Sequence, residues 1–120
     1  MKTNGRAAVA YIAGRLISRV NTSHIYVYAE SKYFAMTGTV SGTTVSIYDH
    51  TQPGFVSGSG NGKTFSLFNY GEGSHLTLSV SGKQFQGYDY GTGSHFSGNV
   101  AGRSISLYDY REQKHFNYTI

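Results

Sequence analysis

Apolar and small polar residues alternate along most of this chain, and the alternation restarts at intervals of 20 residues. Alternation with a period of two is typical of half-buried β-strands, and a fixed interval of this length indicates a tandem-repeat architecture. The residues that recur at this interval are Gly42, Gly62, Gly82 and Gly102, then Tyr48, Phe68, Tyr88 and Tyr108, and also His75, His95 and His115. The pattern predicts one structural unit repeated from about residue 23 to residue 120.

Two kinds of turn separate the alternating segments. In the first kind, of which Asn61-Gly62 is the strongest example, glycine supplies the positive φ of a two-residue hairpin turn. The second kind contains Tyr70-Gly71-Glu72-Gly73 or, less ideally, Gln52-Pro53-Gly54. The sequence thus predicts an antiparallel β-meander of ten strands at 24–29, 34–40, 43–49, 54–60, 63–69, 74–80, 83–89, 94–100, 103–109 and 114–120.

The two faces of this sheet differ in chemistry. If Val100 pairs with Arg103, counting outward from the turn assigns every residue to a face. One face is aliphatic and carries Met36, Val40, Val45, Ile47, Val56, Phe65, Leu67, Leu76, Leu78, Val80, Phe85, Phe96, Ile105, Leu107, Phe116 and Ile120. The other face carries serines and threonines together with a row of rings, namely Tyr48, Phe55, Phe68, His75, Tyr88, His95, Tyr108 and His115.

The register favours an open, twisted sheet over a closed up-and-down barrel. With two-residue loops at both ends, each residue lies opposite the residue 20 positions later, two strands away, with no net stagger. Closing a barrel requires an accumulated shear, which this register lacks. Bulges hidden in the glycine turns would restore shear and are the alternative. The pattern is similar to that of single-layer β-sheet repeat proteins, a likeness of architecture that implies no function.

Residues 6–20 change to a helical period. Their apolar positions are Val9, Ile12, Ala13, Leu16, Ile17 and Val20. This spacing predicts an amphipathic N-terminal helix with Thr3 or Asn4 as its N-cap and an end near Asn21. We expect the helix to lie on or beside the aliphatic face of the sheet.

The sequence predicts a single domain over 1–120, in which 1–22 form the helical segment and 23–120 form the sheet. Lys2 and Arg6 precede an apolar stretch, as in a signal peptide, but Gly14-Arg15 interrupts the stretch and no cleavage site follows. A cytoplasmic location is therefore expected in preference to secretion. No apolar run has the length of a transmembrane segment, and a basic helix on a membrane surface is the weaker alternative.

The charges are unevenly distributed along the predicted strands. Lys63, Lys83 and Arg103 adjoin the turns of the Asn61-Gly62 kind. The six acids lie at the opposite strand ends and are Glu30, Asp49, Glu72, Asp89, Asp109 and Glu112. Solvated turns explain this arrangement, and steering of head-to-tail contacts is the alternative.

The aliphatic face is larger than the helix can cover. Ten strands of about six residues, about 4.8 Å apart, present roughly 900 Å², of which a helix of about 15 residues covers only about a quarter. Soluble monomers seldom expose so much apolar surface, and the edge strands lack protecting charges. We therefore predict a structural or assembly-forming homo-oligomer, a dimer or a filament. The residues expected to mediate self-association are Met36, Val56, Leu76, Leu78, Phe85, Phe96 and Phe116.

The sequence contains no pattern that indicates catalysis. His75 and His95 lie two strands apart, about 9.6 Å, which is too far to share one zinc ion within a sheet. The aspartates recur in every repeat without the asymmetry that acid–base catalysis requires, and their position favours acceptance of turn N–H groups. No nucleophile or phosphate-loop motif is present. We expect no enzyme activity, no catalytic residue, no metal and no cofactor.

The polar face suggests a second function. Rings beside serine, threonine and asparagine supply the stacking surfaces and hydrogen-bonding groups that sugars need. The candidate ligand-binding residues are Tyr48, Tyr88, Tyr108, His75, His95 and His115. A glycan or a surface is the expected partner, whereas the absence of lysine and arginine beside the rings disfavours nucleic acid. The alternative is a solvated face rich in strand-forming residues.

Overall fold

The computed structural model describes residues 1–51 and 53–120, so Gln52, which the sequence places in a turn, lies outside the described residues. The described residues contain one helix, α1 (Thr3–Ser18), and ten strands. The strands are β1 (His24–Val27), β2 (Lys32–Val40), β3 (Thr44–Asp49), β4 (Gly54–Gly60), β5 (Thr64–Asn69), β6 (Ser74–Ser81), β7 (Gln84–Asp89), β8 (Ser94–Ala101), β9 (Ser104–Asp109) and β10 (Lys114–Thr119). The predicted antiparallel meander is confirmed.

The prediction of an open sheet is wrong, because the meander closes into a ten-stranded barrel. Strands follow one another around the barrel in chain order, and β1 pairs with β10 to complete it. This closing pair is short: Tyr26 lies opposite Thr119, and Val27 lies opposite Tyr118. The barrel therefore has no free edge strand among the strands described.

The error lies in the glycine turns. Ala101 pairs with Ser104, so the turn consists of Gly102 and Arg103, with Gly102 at φ 62°, rather than of Ala101 and Gly102. The observed partner of each residue in β9 therefore differs by two positions from the predicted partner. A shift of two positions leaves each residue on the predicted face of the sheet. The predicted faces are therefore correct although the predicted register is not.

This two-residue difference supplies the missing shear. Ile47 pairs with Val56, and Val56 pairs with Asn69. The residue two strands away from Ile47 is thus 22 positions later rather than 20. The same offset recurs with each hairpin, so the strands tilt progressively and the sheet can close.

The helix lies inside the barrel. It packs on the aliphatic face of the sheet as predicted, but that face surrounds the helix, which the prediction of an open sheet did not include. Ten strands about 4.8 Å apart and tilted by about 40° give a backbone radius of about 10 Å. Because the inward side chains of the strands occupy part of this interior space, only a helix with small side chains fits. Every residue of α1 from Gly5 to Gly14 is buried.

Small side chains on all sides of α1 make this enclosure feasible. The small buried residues are Gly5, Ala7, Ala8, Ala10, Ala13 and Gly14. A Cβ atom on Gly14 would lie 3.0 Å from the side chains of both Ile105 and Ile120. The larger Tyr11 and Ile12 are completely buried between them. The apolar residues of the helix thus face the barrel wall all around its axis, rather than along one stripe.

The ends of α1 differ from the prediction. Its N-cap is Lys2, which makes no side-chain capping bond, so neither Thr3 nor Asn4 has that role. The helix ends at Ser18, three residues before the predicted end near Asn21, and the following Arg19 adopts a left-handed conformation with φ 59°. Within the described part of the chain, no helix combines the length and the apolar character needed to cross a membrane.

The aliphatic face of the sheet lines the barrel interior and packs on the helix. This places the predicted self-association residues in the core, where none of them is more than 7% exposed. They are Met36, Val56, Leu76, Leu78, Phe85, Phe96 and Phe116. The uncovered apolar face that motivated the prediction of self-association does not exist in the closed barrel, because the wall curls around α1 and its aliphatic face lines the core.

Inward-facing glycines allow neighbouring strands to approach closely. A Cβ atom on Gly58 would lie 2.0 Å from the carbonyl oxygen of Ser66, and Gly38 and Gly98 are equally close to the carbonyls of Ser46 and Ser106. Glycine at such positions permits sharp coiling of a strand at a barrel corner. These three glycines recur at one position of the repeat, so they contribute to the curvature of the wall.

We expect Gly58→Ala to destabilise the protein by about 3 kcal/mol, which lowers the melting temperature by roughly 10 °C. The reason is that the new methyl group meets backbone atoms, which cannot rotate away. The matched control is Gly42→Ala, where a Cβ atom would have Gly62 Cα at 3.7 Å as its nearest neighbour. Thermal unfolding measured by circular dichroism compares the two variants, and equal melting temperatures would contradict the role of Gly58.

The two ends of the barrel carry different charge. The basic end is where α1 leaves the barrel and where the Gly102-type turns lie. Among the described residues, this end bears no aspartate or glutamate. Its five cations are Arg15, Arg19, Lys63, Lys83 and Arg103. The opposite end, called the aspartate end, holds all six acids and the other five cations. The formal charges of the two ends are therefore +5 and −1, which add to the net charge of +4.

Candidate ligand-binding surface

Rings on the outer wall form a belt around the barrel near the aspartate end. The belt consists of five clusters, one for each hairpin, and each centres on a ring that contacts two others. The clusters are Tyr26 with Tyr28 and Tyr33, Tyr48 with His50 and Phe55, Phe68 with Tyr70 and His75, Tyr88 with Tyr90 and His95, and Tyr108 with Tyr110 and His115. In the first cluster, His24 also contacts Tyr33, with centroids 5.0 Å apart.

The clusters share one geometry. The centroids of the two contacting rings lie 4.7–4.9 Å from the centroid of the central ring, and the ring planes meet at 63–76°. This is the edge-to-face arrangement that aromatic quadrupoles favour. One contact in each cluster joins a strand residue to the residue two positions later, just beyond the end of the strand. The other contact joins residues directly opposite each other across a strand pair. The aromatic belt is thus a product of the register.

The structure places all six predicted ligand-binding residues in this belt. Tyr48, Tyr88 and Tyr108 are central rings and are half-buried. His75, His95 and His115 are outer rings and are exposed. The predicted packing of histidine against tyrosine is confirmed for Tyr88 with His95 and for Tyr108 with His115, both at 4.7 Å.

Six tyrosine and phenylalanine rings that were not among the predicted ligand-binding residues are also exposed. They are Tyr28, Tyr33, Phe55, Tyr70, Tyr90 and Tyr110, each at least half exposed. The signal for three of them was present in the sequence as an aromatic residue two positions after Phe68, Tyr88 or Tyr108. Residues two apart share a face of a strand, so the second ring necessarily lies beside the first.

A groove crosses the outer wall from β6 to β10. Its main part has a volume of about 400 Å³. Its lining includes the small residues Ser79, Ser97 and Ser106 and the longer amides Gln84 and Gln86. In the register, Gln86 lies between Ser79 and Ser97. Two of the predicted residues, Tyr108 and His115, also line the groove.

A second depression of about 330 Å³ continues this groove and shares Ser79, Gln86 and Ser97 with it. Its other lining residues include Tyr88 and His95 of the predicted set, and also Tyr110. The Tyr110 hydroxyl lies 3.1 Å from the Ser97 hydroxyl, which holds this exposed ring over the groove. The groove therefore brings together four of the six predicted residues, whereas Tyr48 and His75 belong to clusters away from it.

The groove is polar but has no formally charged lining residue. Its lining residues are serine, threonine, glutamine, asparagine, glycine, tyrosine, histidine and the edges of Val80, Phe85 and Phe96. Hydroxyl groups and side-chain amides both donate and accept hydrogen bonds. The groove can therefore contact a neutral ligand that carries many hydroxyl groups.

The aspartate row points into the barrel rather than toward the groove. Asp49, Asn69, Asp89 and Asp109 are all buried at the N-terminal end of α1. Each accepts a backbone N–H from the following turn, for example Gly91 N at 3.0 Å from Asp89 Oδ1. This confirms the turn bonding predicted for the aspartates. Their negative charge also lies at the positive end of the helix dipole.

Asp109 joins the helix to the barrel wall. Its Oδ2 accepts hydrogen bonds from the amino group of Met1 at 2.9 Å and from Arg6 Nη1 at 3.2 Å. The Arg6 guanidinium lies over the Phe116 ring, with Cζ 3.8 Å from the centroid. Burial would raise the pKa of the Asp109 carboxyl, but the hydrogen bonds and charge of Met1, Arg111 and Arg6 lower it overall.

Two other groups in this region have shifted titration. Burial is the main cause that raises the pKa of the Tyr118 hydroxyl, which lies inside the barrel. Burial and the negative charge of Asp89 raise the pKa of Glu72. Glu72 accepts a hydrogen bond from Asn69 Nδ2 at 3.2 Å. Among residues 1–51 and 53–120, no three metal-ligating side chains lie close enough together to hold an ion.

The fold and the outer surface together define a class of protein: an antiparallel meander barrel of ten strands, built around a central helix and encircled by rings. Comparison of the chain with known protein families, with curated proteins and with solved structures finds no match. The functional argument therefore depends on the groove and on the charged ends.

Proposed function

We propose that the protein is a non-enzymatic carbohydrate-binding module that holds a neutral glycan in the groove across β6–β10. The observation that supports this proposal most strongly is the composition of the groove, in which hydroxyl and amide side chains adjoin Tyr88, Tyr108 and Tyr110 without any formal charge. Tyrosine rings can stack on the apolar face of a sugar, while the amides of Gln84, Gln86 and Asn99 can contact its hydroxyl groups.

The dimensions of the groove support the same proposal. Volumes of about 300–1,000 Å³ are typical of small-ligand sites, and the main depression has about 400 Å³. The groove crosses five strands, so an extended ligand of several sugar units would lie across the strands rather than along them. The missing charge argues for an uncharged glycan over an acidic one, because an acidic sugar would lose hydration without gaining a cationic partner.

We expect Tyr110→Ala to weaken glycan binding about tenfold, a loss of about 1.4 kcal/mol, because it removes a ring over the groove. Tyr70→Ala is the matched control, since Tyr70 occupies the same repeat position and is 62% exposed but does not line the groove. A glycan array would first select the ligand, and calorimetry with that glycan would then compare the variants. No signal for neutral glycans, or an equal loss in both variants, would refute the proposal.

The same two variants distinguish glycan binding from self-association. The sequence predicted self-association through the aliphatic face or the edge strands. That face lines the interior, so a homo-oligomer would use other surfaces, among them the exposed rings of the aromatic belt. Sedimentation of the unliganded protein at several concentrations tests this second function. If Tyr70→Ala and Tyr110→Ala both dissociate an oligomer while glycans fail to bind, the aromatic belt mediates assembly.

A further inference from the structure

The basic end of the barrel differs from every other part of the surface. Five cations surround it, and two of them, Arg15 and Arg19, belong to the last turn of α1 and its C-terminal end. A depression of about 480 Å³ lies between the helix end and the barrel rim, lined by Arg15, Leu16, Arg19, Val20, Val40 and Val80 among others. The aromatic belt lies toward the other end of the barrel. The groove reaches closer to this surface, since Val80 lines both the groove and the depression.

The apolar core is less well covered at this end. Five apolar residues pack against the core but are only partly buried, and all five lie at or beside the basic end: Leu16, Ile17, Val20, Val40 and Val80. At the aspartate end, by contrast, the ring of Asp49, Asn69, Asp89 and Asp109 closes over the helix. The basic end thus combines an apolar centre with a cationic rim.

We propose that the basic end docks on the surface of an anionic phospholipid bilayer. The rim cations would contact lipid phosphates, and the partly exposed Leu16, Val20 and Val40 would face the acyl boundary, as apolar residues of interfacial proteins do. Each lysine or arginine near an anionic membrane strengthens the attraction between the protein and the membrane. The basic end has five such cations and, among its described residues, no aspartate or glutamate.

Charge complementarity alone would also suit a soluble polyanion, but the apolar centre favours a bilayer. A nucleic-acid strand would use rings for stacking within a basic groove, and the aromatic belt lies away from the basic end. A bilayer uses both features of the basic end together. In this orientation the barrel stands on the membrane with the groove on its side wall, open to solvent.

The test measures co-sedimentation of the full chain with vesicles. Vesicles of phosphatidylcholine with about one third phosphatidylserine should bind the protein, and pure phosphatidylcholine vesicles should not. Raising the salt from about 0.1 M to about 1 M shortens the screening length from about 10 Å to about 3 Å and should release the protein. Absence of binding to the anionic vesicles at low salt would overturn the proposal.

Matched variants locate the docking surface. Lys63→Gln with Lys83→Gln removes two exposed charges from the basic end and should weaken vesicle binding about 30-fold. Lys32→Gln with Lys114→Gln removes the same charge from the aspartate end and should leave binding within about twofold. An equal loss in both pairs would mean attraction by net charge alone and would overturn the proposal.

A third variant separates a bilayer from a soluble polyanion. Val20→Ser keeps every charge but makes the centre of the basic end polar, and it should weaken vesicle binding several-fold while binding to heparin stays the same. Undiminished vesicle binding by this variant would assign the surface to soluble polyanions and overturn docking on a bilayer. Melting curves of all three variants verify that each retains the fold.

Discussion

A chain that lacks residues 1–22 is expected not to fold. The enclosed part of α1 buries Ala7, Ala8, Val9, Ala10, Tyr11, Ile12 and Ala13 almost completely. Burial of these side chains contributes roughly 10 kcal/mol, and the wall residues that face them lose their cover as well. A domain of this size has a free energy of unfolding of about 5–15 kcal/mol in total. Loss of the burial of α1 and of the wall residues around it is therefore expected to remove the net stability of the fold.

The measurement is the chemical-shift dispersion of residues 23–120 in a nuclear magnetic resonance spectrum, recorded with and without a synthetic peptide of residues 1–22. We expect a collapsed or aggregated chain alone and a dispersed spectrum after the peptide is added during refolding. A peptide with Ala10→Asp is the control and should fail to restore dispersion, because it would bury an unpaired carboxylate. A folded, cooperatively melting barrel without the helix would contradict this expectation.

Asp109→Asn is expected to destabilise the protein by about 3 kcal/mol, the second-largest effect. The asparagine can still accept the turn N–H of Arg111, which lies 3.0 Å from Asp109 Oδ1. It cannot neutralise Arg6, whose guanidinium would remain buried without its ion-pair partner. Urea unfolding at neutral pH gives the difference in the free energy of unfolding.

Asp89→Asn is the matched control for this prediction. Asp89 occupies the same repeat position and is also buried, but its carboxylate bonds to Gly91 N and to the Thr92 hydroxyl rather than to a cation. The chain itself contains asparagine at the equivalent position in Asn69, which accepts Glu72 N at 3.3 Å. We expect Asp89→Asn to cost less than about 1 kcal/mol. An equal cost of the two changes would mean that the ion pair of Asp109 contributes nothing.

The pH dependence of stability checks the same ion pair independently. The pKa of Asp109 is lowered from its ordinary value of 3.8 by its hydrogen bonds and cationic neighbours, despite the opposing effect of burial. Its stabilising contribution is therefore fully present above that ordinary value and is lost as the pH falls through the lower pKa of the folded state. The Asp109→Asn variant should lack this part of the acid-induced loss of stability.

Much of the secondary structure could be predicted because alternation and turn residues act locally. Each strand boundary was correct to within two residues, and the aliphatic and polar faces were assigned correctly. The face on which a residue lies depends only on whether its position, counted from the turn, is odd or even. An error of two positions at Gly102 therefore left the faces unchanged.

Closure of the barrel could not be predicted from the same pattern, because it depends on a register that the turns set. Asn61-Gly62 and its equivalents are compatible with several pairings. The predicted pairing produces no shear, whereas the observed pairing of Ala101 with Ser104 does. The location of α1 follows from closure. A helix with Gly5, Ala7 and Ala13 on different sides was a signal of enclosure that its partial amphipathic pattern obscured.

The candidate site was predicted in part. The sequence identified the rings of the outer face, but the groove depends on which of five similar clusters adjoins the amides of β7. Gln84 and Gln86 have no equivalents at Thr44 and Ser46 or at Thr64 and Ser66, so this difference distinguishes one side of the barrel. The charges of the basic end were noted in the sequence, whereas their position around the exit of α1 required the closed barrel.

Enclosure of the helix also constrains the order of assembly. A closed wall leaves no opening through which a helix bearing Tyr11 and Ile12 could later pass, so α1 must be in position before β1 meets β10. The two pairs that join Tyr26 to Thr119 and Val27 to Tyr118 connect distant parts of the chain, which makes β1–β10 the strand pairing with the greatest loop-closure entropy. The helix therefore acts as a template around which the hairpins assemble, and the pairing of β1 with β10 is the last to form.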